Sequence, residues 1–296
     1  MRSKKPIIRL AMSACLVVAG CSNATTERVP VKHAQLELLA QSASSPGKPL
    51  WLGVHFVLEK GWHIYWVNPG DSGQPPVFQW QLPPGFSAGD IQWPRPEKMQ
   101  KTNLADYGYH DDVLLLVPVQ ASQDAKNNSR GEIGLDAKWL ICREICLPDH
   151  AQLHLALPIP SPAKNDSGME QLFAKAKNQV PRPLPAGWKA RAESRKGTFV
   201  LIVDTDRSVT ANTAGASRAT VDFYPLEPDQ IKNSAPQVAA LGDRRVEITL
   251  QKSDQLIQPA SALKGVLVMP GDVSYRIEAP VVEMEKPGGK SKSGIK

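Results

Sequence analysis

The stretch GEIGLDAKWLICREICLPDHAQLHLALPIP, residues 131–160, decides the class of fold. It holds two apolar runs with partial alternation, GEIGLDAKWLIC and AQLHLALPIP, rich in the residues that suit a pleated surface. Between them sit Cys142 and Cys146, four positions apart. Were residues 142–146 one straight strand, the two Cα atoms would lie about 13 Å apart. A disulfide needs less than about 7 Å. A helix would bring them to about 6 Å along its axis, but the flanking Trp-Leu-Ile and Leu-Pro favour strand. The spacing therefore predicts a hairpin or bulge, with Arg143, Glu144 and Ile145 as the turn and the thiols facing each other.

Residue types alone leave three uses for such a pair. A bond closing so small a loop restricts the unfolded chain little, so as a staple it is poor. Short-loop disulfides are often more easily reduced, which suits exchange chemistry. Exchange needs a thiolate, which Arg143 would favour and Glu144 oppose. As a metal clip, Cys142 and Cys146 with His150 offer soft ligands for Cu(I) or Zn(II), with His63, His110 or His154 brought from elsewhere. That spacing matches no familiar zinc signature.

The N-terminus bears on the choice through the redox compartment. Arg2, Lys4, Lys5 and Arg9 precede or open an apolar run that leads into VVAGC, residues 17–21. A basic region, a short apolar region and small residues describe a secretory signal over residues 1–20. The cysteine after Ala19-Gly20 resembles a bacterial lipoprotein signal, with cleavage before Cys21 and lipid attached to it. Ser22 in place of Asp favours the outer membrane of a Gram-negative cell, and simple cleavage and release is the alternative. Removing four basic residues and no acid takes the whole-chain charge from +6 to about +2. Nucleic-acid affinity is therefore not expected. Of four cysteines, Cys15 leaves with the signal and Cys21 carries lipid. Cys142 and Cys146 remain as one pair in an oxidising compartment.

Beyond residues 131–160 the same strand grammar recurs. AQLELLAQ, LWLGVHFVLE and DVLLLVPVQ lie upstream, and TFVLIVDT, ATVDFYPL, RRVEITLQ, LKGVLVMP and VSYRIEAP lie downstream. Many short strands between turn signals predict an all-β protein of two sandwich domains rather than βαβ units. No glycine-rich phosphate loop or nucleophile elbow opens a helix anywhere. Proline clusters between Leu157 and Trp188 mark a linker, inside which MEQLFAKAKNQV, residues 169–180, has apolar residues at helical spacing. The expected organisation is a signal over 1–20, a tether over 21–33 and a first domain over 34–158. A linker with one short helix follows over 159–184, then a second sandwich over 185–284 and a tail over 285–296. Six of seven tryptophans and both thiols fall in the first domain, which is where chemistry is expected.

Two further stretches stand out there. In GWHIYWVNPGDSGQPP, residues 61–76, alternation puts Trp62, Ile64 and Trp66 on one strand face and His63, Tyr65 and Val67 on the other. The NPGDSG segment then breaks the strand into a tight loop, and a core strand entering a turn is the plain account. In LADYGYHDDVLLLVPV, residues 104–119, Tyr107 and Tyr109 flank Gly108 just before a strand. They read either as an aromatic turn or as a flap shielding a reactive sulfur.

Taken together, GWHIYWVNPGDSG, IQWPRPEKM, YGYHDDVLLLVPV and AKWLICREICLP resemble, in order, the N-terminal periplasmic domain of DsbD-type thiol:disulfide interchange proteins. The similarity is greatest to the branch that includes the copper-tolerance protein ScsB, and extends weakly through VDFYPLEPDQIKNSAPQ. The resemblance implies an immunoglobulin-like sandwich, so both domains are expected to be of that kind. It implies that Cys142 and Cys146 cycle between dithiol and disulfide with no other cofactor, and that the Tyr107–Tyr109 segment caps them. It also implies thioredoxin-like periplasmic partners as donor or acceptor. The family's membrane and thioredoxin-like domains do not appear in this sequence, so a lipid-anchored component fed with electrons by a partner is expected. The alternative is a non-enzymatic copper-handling or protein-binding lipoprotein, its pair a metal clip or static bond.

Overall fold

The computed structural model describes residues 28–41, 49–122, 131–157, 167–206, 208–209 and 221–284. Among the described residues, eleven strands build the first domain: β1 (Val29–Val31), β2 (Ala34–Gln41), β3 (Leu50–Leu58), β4 (His63–Gly70), β5 (Val77–Gln81), β6 (Phe86–Ala88), β7 (Glu97–Lys101), β8 (Leu104–His110), β9 (Asp112–Ala121), β10 (Gly131–Cys142) and β11 (Cys146–Leu157). One sheet runs β1-β2-β3-β9-β6, the other β11-β10-β4-β8-β7 with β5 alongside β10. Leu52, Val54 and Phe56 of β3 point at Ile133, Leu135, Trp139 and Ile141 of β10, and all are buried in one core. Phe56 meets Trp139 edge-on at 5.3 Å. Each such side chain contributes about 1.5–3 kcal/mol by leaving water.

The opposite face of β3 and β9 is covered too. Helix α1 (Ser167–Gln179) lays Phe173 and Ala176 against Leu39, Leu114 and Leu116. Its apolar residues recur at helical spacing, Glu170 opens it, and Lys177 closes it in accord with the helix dipole. A Cβ on Gly53 would stand 2.6 Å from the Leu114 side chain, so glycine there lets β9 pack closely. Because helix and core each claim one face, β9 reads Val-Leu-Leu-Leu-Val rather than alternating.

The second domain comprises β12 (Arg182–Pro183), β13 (Lys189–Arg195), β14 (Thr198–Asp204), β15 (Asp222–Pro225), β16 (Val238–Leu241), β17 (Arg245–Gln251), β18 (Ala262–Val268) and β19 (Ser274–Glu283). β19 pairs antiparallel with β18, while its end pairs parallel with β13. One long strand thus passes between layers that enclose Phe199, Leu201, Phe223 and Leu267. Both domains are all-β, as the strand grammar predicted, and immunoglobulin-like, as the resemblance implied. β1 lies within the expected tether, because Val29 and Val31 extend the first sheet by pairing with β2. α1 starts two residues before the expected helix, and β12 lies inside the expected linker. The signal over 1–20, Cys21 and the tail over 285–296 lie outside the described residues. Among the described residues, no helix is long and apolar enough to cross a membrane.

The domains meet across a buried polar seam. Asn68 Nδ2 donates to the Pro225 carbonyl at 2.8 Å, and Asn233 Nδ2 donates to Asp71 Oδ1 at 2.8 Å. Tyr107 donates its hydroxyl to Asn233 Oδ1 at 3.1 Å and meets Tyr224 edge-on at 5.3 Å.

Candidate functional site

β10 and β11 form the hairpin expected from the cysteine spacing. Their antiparallel ladder ends at the pair Cys142 and Cys146, after which Arg143, Glu144 and Ile145 make the turn. Arg143 N–H donates to the Ile145 carbonyl at 3.1 Å and closes it. The two cysteines are joined in a disulfide with a Cα–Cα separation of 4.2 Å. Directly opposed residues in a narrow antiparallel pair approach to about 4.5 Å, so the ladder itself brings the sulfurs together.

The two sulfurs differ in access. Cys142 is 0% exposed, whereas Cys146 lies on the surface beside Ile145, itself 62% exposed. Tyr65 places its hydroxyl 3.5 Å from Cys146 Sγ. A disulfide sulfur carries no hydrogen, so the hydroxyl is the donor. Burial raises the Tyr65 pKa against the opposing hydrogen bond with Ser72, which keeps the hydroxyl protonated at neutral pH. The Arg143 and Glu144 side chains, which pull a thiolate in opposite directions, pair with each other at 2.6 Å. Arg143 also lies over the Trp62 ring, 5.3 Å from its centroid.

Tyr65 is held by the loop after β4. Gly73 sits so close to its ring that a Cβ would fall 2.1 Å from it, and Gly73 adopts a φ of +82° that favours glycine. Ser72 donates both N–H and hydroxyl to Asp106 Oδ1, at 2.9 and 2.8 Å. Ala105 N–H donates to Asp71 Oδ2 at 2.7 Å, and the other oxygen of Asp71 receives Asn233 from the second domain. The NPGDSG segment is therefore a support for the tyrosine beside the disulfide.

His63 stands opposite Cys142 across β4 and β10, and opposite His110 across β4 and β8. The His63 and His110 ring centroids are 5.6 Å apart, and His63 meets Tyr65 edge-on at 5.2 Å. His110 Nδ1 donates to Glu97 Oε2 at 3.3 Å, which raises the His110 pKa. A groove of about 440 Å³ lies along the β10–β11 hairpin, lined by Pro75, Val77, Lys138, Leu140, Pro148 and His150 among others.

Two sequence expectations need correction. Tyr107 and Tyr109 lie on strand β8, not in a flap, and point into the core. Their hydroxyls bind Asn233 and the Pro94 carbonyl. On a strand, alternate residues take opposite faces, so it is His110 and not the tyrosines that shares the face of Cys142. The metal set of Cys142, Cys146 and His150 does not assemble either. His150 is four residues along β11 from Cys146, about 13 Å away by strand rise. Among the described residues, no group of three or more His, Cys, Asp or Glu could hold a metal ion. The sequence pattern does not assign Tyr65 to the site; its one signal is the strand face it shares with His63, which a core strand explains equally well.

Residues 34–158, which include the disulfide, match the family of the thiol:disulfide interchange protein DsbD, N-terminal domain. The fold is similar to the crystal structure of the N-terminal periplasmic domain of ScsB from Proteus mirabilis, with a TM-score of 0.65 and 18% sequence identity. That similarity covers 88% of this chain and 99% of the other, and so takes in both domains. At such identity the likeness is one of fold. No curated protein sequence matches the chain.

Proposed function

We propose, from the premise that residues 34–158 form a DsbD N-terminal-type domain, that this protein exchanges its Cys142–Cys146 disulfide with thiol-disulfide partner proteins in the periplasm. The observation that carries the reading is the asymmetry of the hairpin tip, with Cys146 on the surface and Cys142 buried. A partner thiolate attacks the accessible Cys146 sulfur, forming a mixed disulfide, and Cys142 leaves. In the reverse direction Cys146 of the dithiol form attacks a partner disulfide, and Cys142 resolves it. The partners are thioredoxin-like proteins acting as donor or acceptor. The lipobox-like VVAGC supports anchoring through Cys21, and Ser22 supports the outer membrane.

The deciding experiment is a redox titration of the protein followed by thiol alkylation. A reduction potential below about −300 mV would mark a structural bond and overturn the reading. Cys142→Ala is expected to accumulate a mixed disulfide with a thioredoxin-like partner, while Cys146→Ala does not. For the anchor, Cys21→Ser should move the protein from the membrane to the soluble fraction. Unchanged fractionation of that variant would rule out a lipid anchor at Cys21.

A further inference from the structure

Three side chains lie in one lateral row across the sheet, and a fourth reaches it diagonally from the next strand. Cys142 pairs with His63 between β10 and β4, and His63 pairs with His110 between β4 and β8. His110 then reaches Glu97 of β7 through its side chain. Directly opposed residues place their Cβ atoms about 4.5–5.5 Å apart, so Cys142, His63 and His110 adjoin in turn, while Glu97, opposite Gly108, joins through its 3.3 Å hydrogen bond to His110. The row begins at a sulfur that is 0% exposed and ends at His110 and Glu97, whose side chains are 35% and 67% exposed. His63 between them is 3% exposed.

We propose that His63 and His110 form a proton path between solvent and the buried Cys142 sulfur, serving the thiol-disulfide exchange on which this inference rests. The need for one follows from the burial. Cys146 trades its proton with water, but a thiolate left on Cys142 has no solvent to stabilise it and is costly until protonated. Tyr65, which shares the His63 face of β4, stays protonated and touches Cys146 instead. Arg143, next along the hairpin, is paired with Glu144. Asp111, after β8, adds to the effect of Glu97 in favouring a charged His110.

The step balances as follows. The thiolate of a partner dithiol attacks Cys146 Sγ; a partner–Cys146 bond forms, the Cys142–Cys146 bond breaks, and the electron pair leaves on Cys142 Sγ. His63 as imidazolium gives that sulfur a proton and becomes neutral. His110 reprotonates His63 and recovers its own proton from solvent, with Glu97 balancing its charge. The partner's second thiolate then displaces Cys146, which takes a proton from water. The partner departs as a disulfide, and two electrons have passed to the domain. In the opposite direction His63 accepts the Cys142 proton.

The test is reduction of the full-length protein by dithiothreitol across pH, read by alkylation and divided by the dithiothreitol thiolate concentration. For the wild type, this corrected rate is expected to hold steady at low pH and fall as pH rises through the histidine range, near 6.5 in its unperturbed form. His63→Gln should flatten the profile and lower the acid-side rate by about tenfold or more. Glu97→Gln, at an exposed position, should move the fall to lower pH, and keeps the test intact if His63→Gln does not fold. A wild-type profile without the fall, or variants that reproduce the wild-type profile, would overturn the proton path and leave the exchange reading standing. A pair that dithiothreitol fails to reduce at any pH would overturn both.

Discussion

At the scale of single residues, the disulfide is flanked by one hydroxyl whose chemistry can be tested in isolation. Tyr65 donates to Cys146 Sγ in the oxidised protein. In the dithiol form the same donor would stabilise a Cys146 thiolate, since hydrogen bonds to charged acceptors are the stronger ones. Tyr65→Phe keeps the ring against Gly73 and removes only the hydroxyl. The Cys146 thiol pKa, followed by alkylation rate against pH in the Cys142→Ala background, should rise by about one unit, the equivalent of roughly 1.4 kcal/mol. An unmoved profile would mean that the hydroxyl does not serve the thiolate. The residue scale also explains why Arg143 and Glu144 were uninformative in the sequence. Neighbours of opposite charge were expected to compete over the thiolate, but they pair with each other.

At the scale of elements, the hairpin was legible because geometry left little choice. A straight strand holds residues 142 and 146 too far apart for a bond, and the flanking residues favour strand over helix, so a bonded pair needs a turn between two strands. Helix α1 was legible for a similar reason, since Leu172, Phe173 and Ala176 recur at a spacing only a helix can put on one face. β8 was not. Tyr-Gly-Tyr followed by His-Asp-Asp looked like a turn, because Gly and Asp are common turn residues. In the structure the turn comes later, at Asp111 with its φ of 58°, and both tyrosines stay in the ladder. Gly108 is there because a Cβ would lie 2.1 Å from the Ile64 carbonyl oxygen, a constraint set by the neighbouring strand. No local signal distinguishes a glycine needed for close strand approach from one needed for a turn.

At the scale of the whole molecule, the second domain has a structural claim on the site. Asn233 receives the Tyr107 hydroxyl and donates to Asp71, whose loop covers Tyr65. Asn233→Ala leaves the buried Tyr107 hydroxyl without its acceptor and the exposed Asp71 carboxylate without one donor, and the loss at the buried hydroxyl costs about 1–3 kcal/mol. The denaturant midpoint of unfolding, followed by tryptophan fluorescence, is expected to fall accordingly. A midpoint equal to the wild type would show that the seam does not support the loop. The sequence by itself determined the all-β class, the two domains, the helix between them and the hairpin that pairs the cysteines. Each of these follows from periodicity or from the reach of a short chain segment. Tertiary structure alone decided which sulfur meets solvent and that Tyr65 touches it. It also decided that His63 and His110 line up with Cys142 and that the tyrosines of β8 face the core. Those are matters of register between strands distant in sequence, and a shift of one residue would send every side chain to the other face.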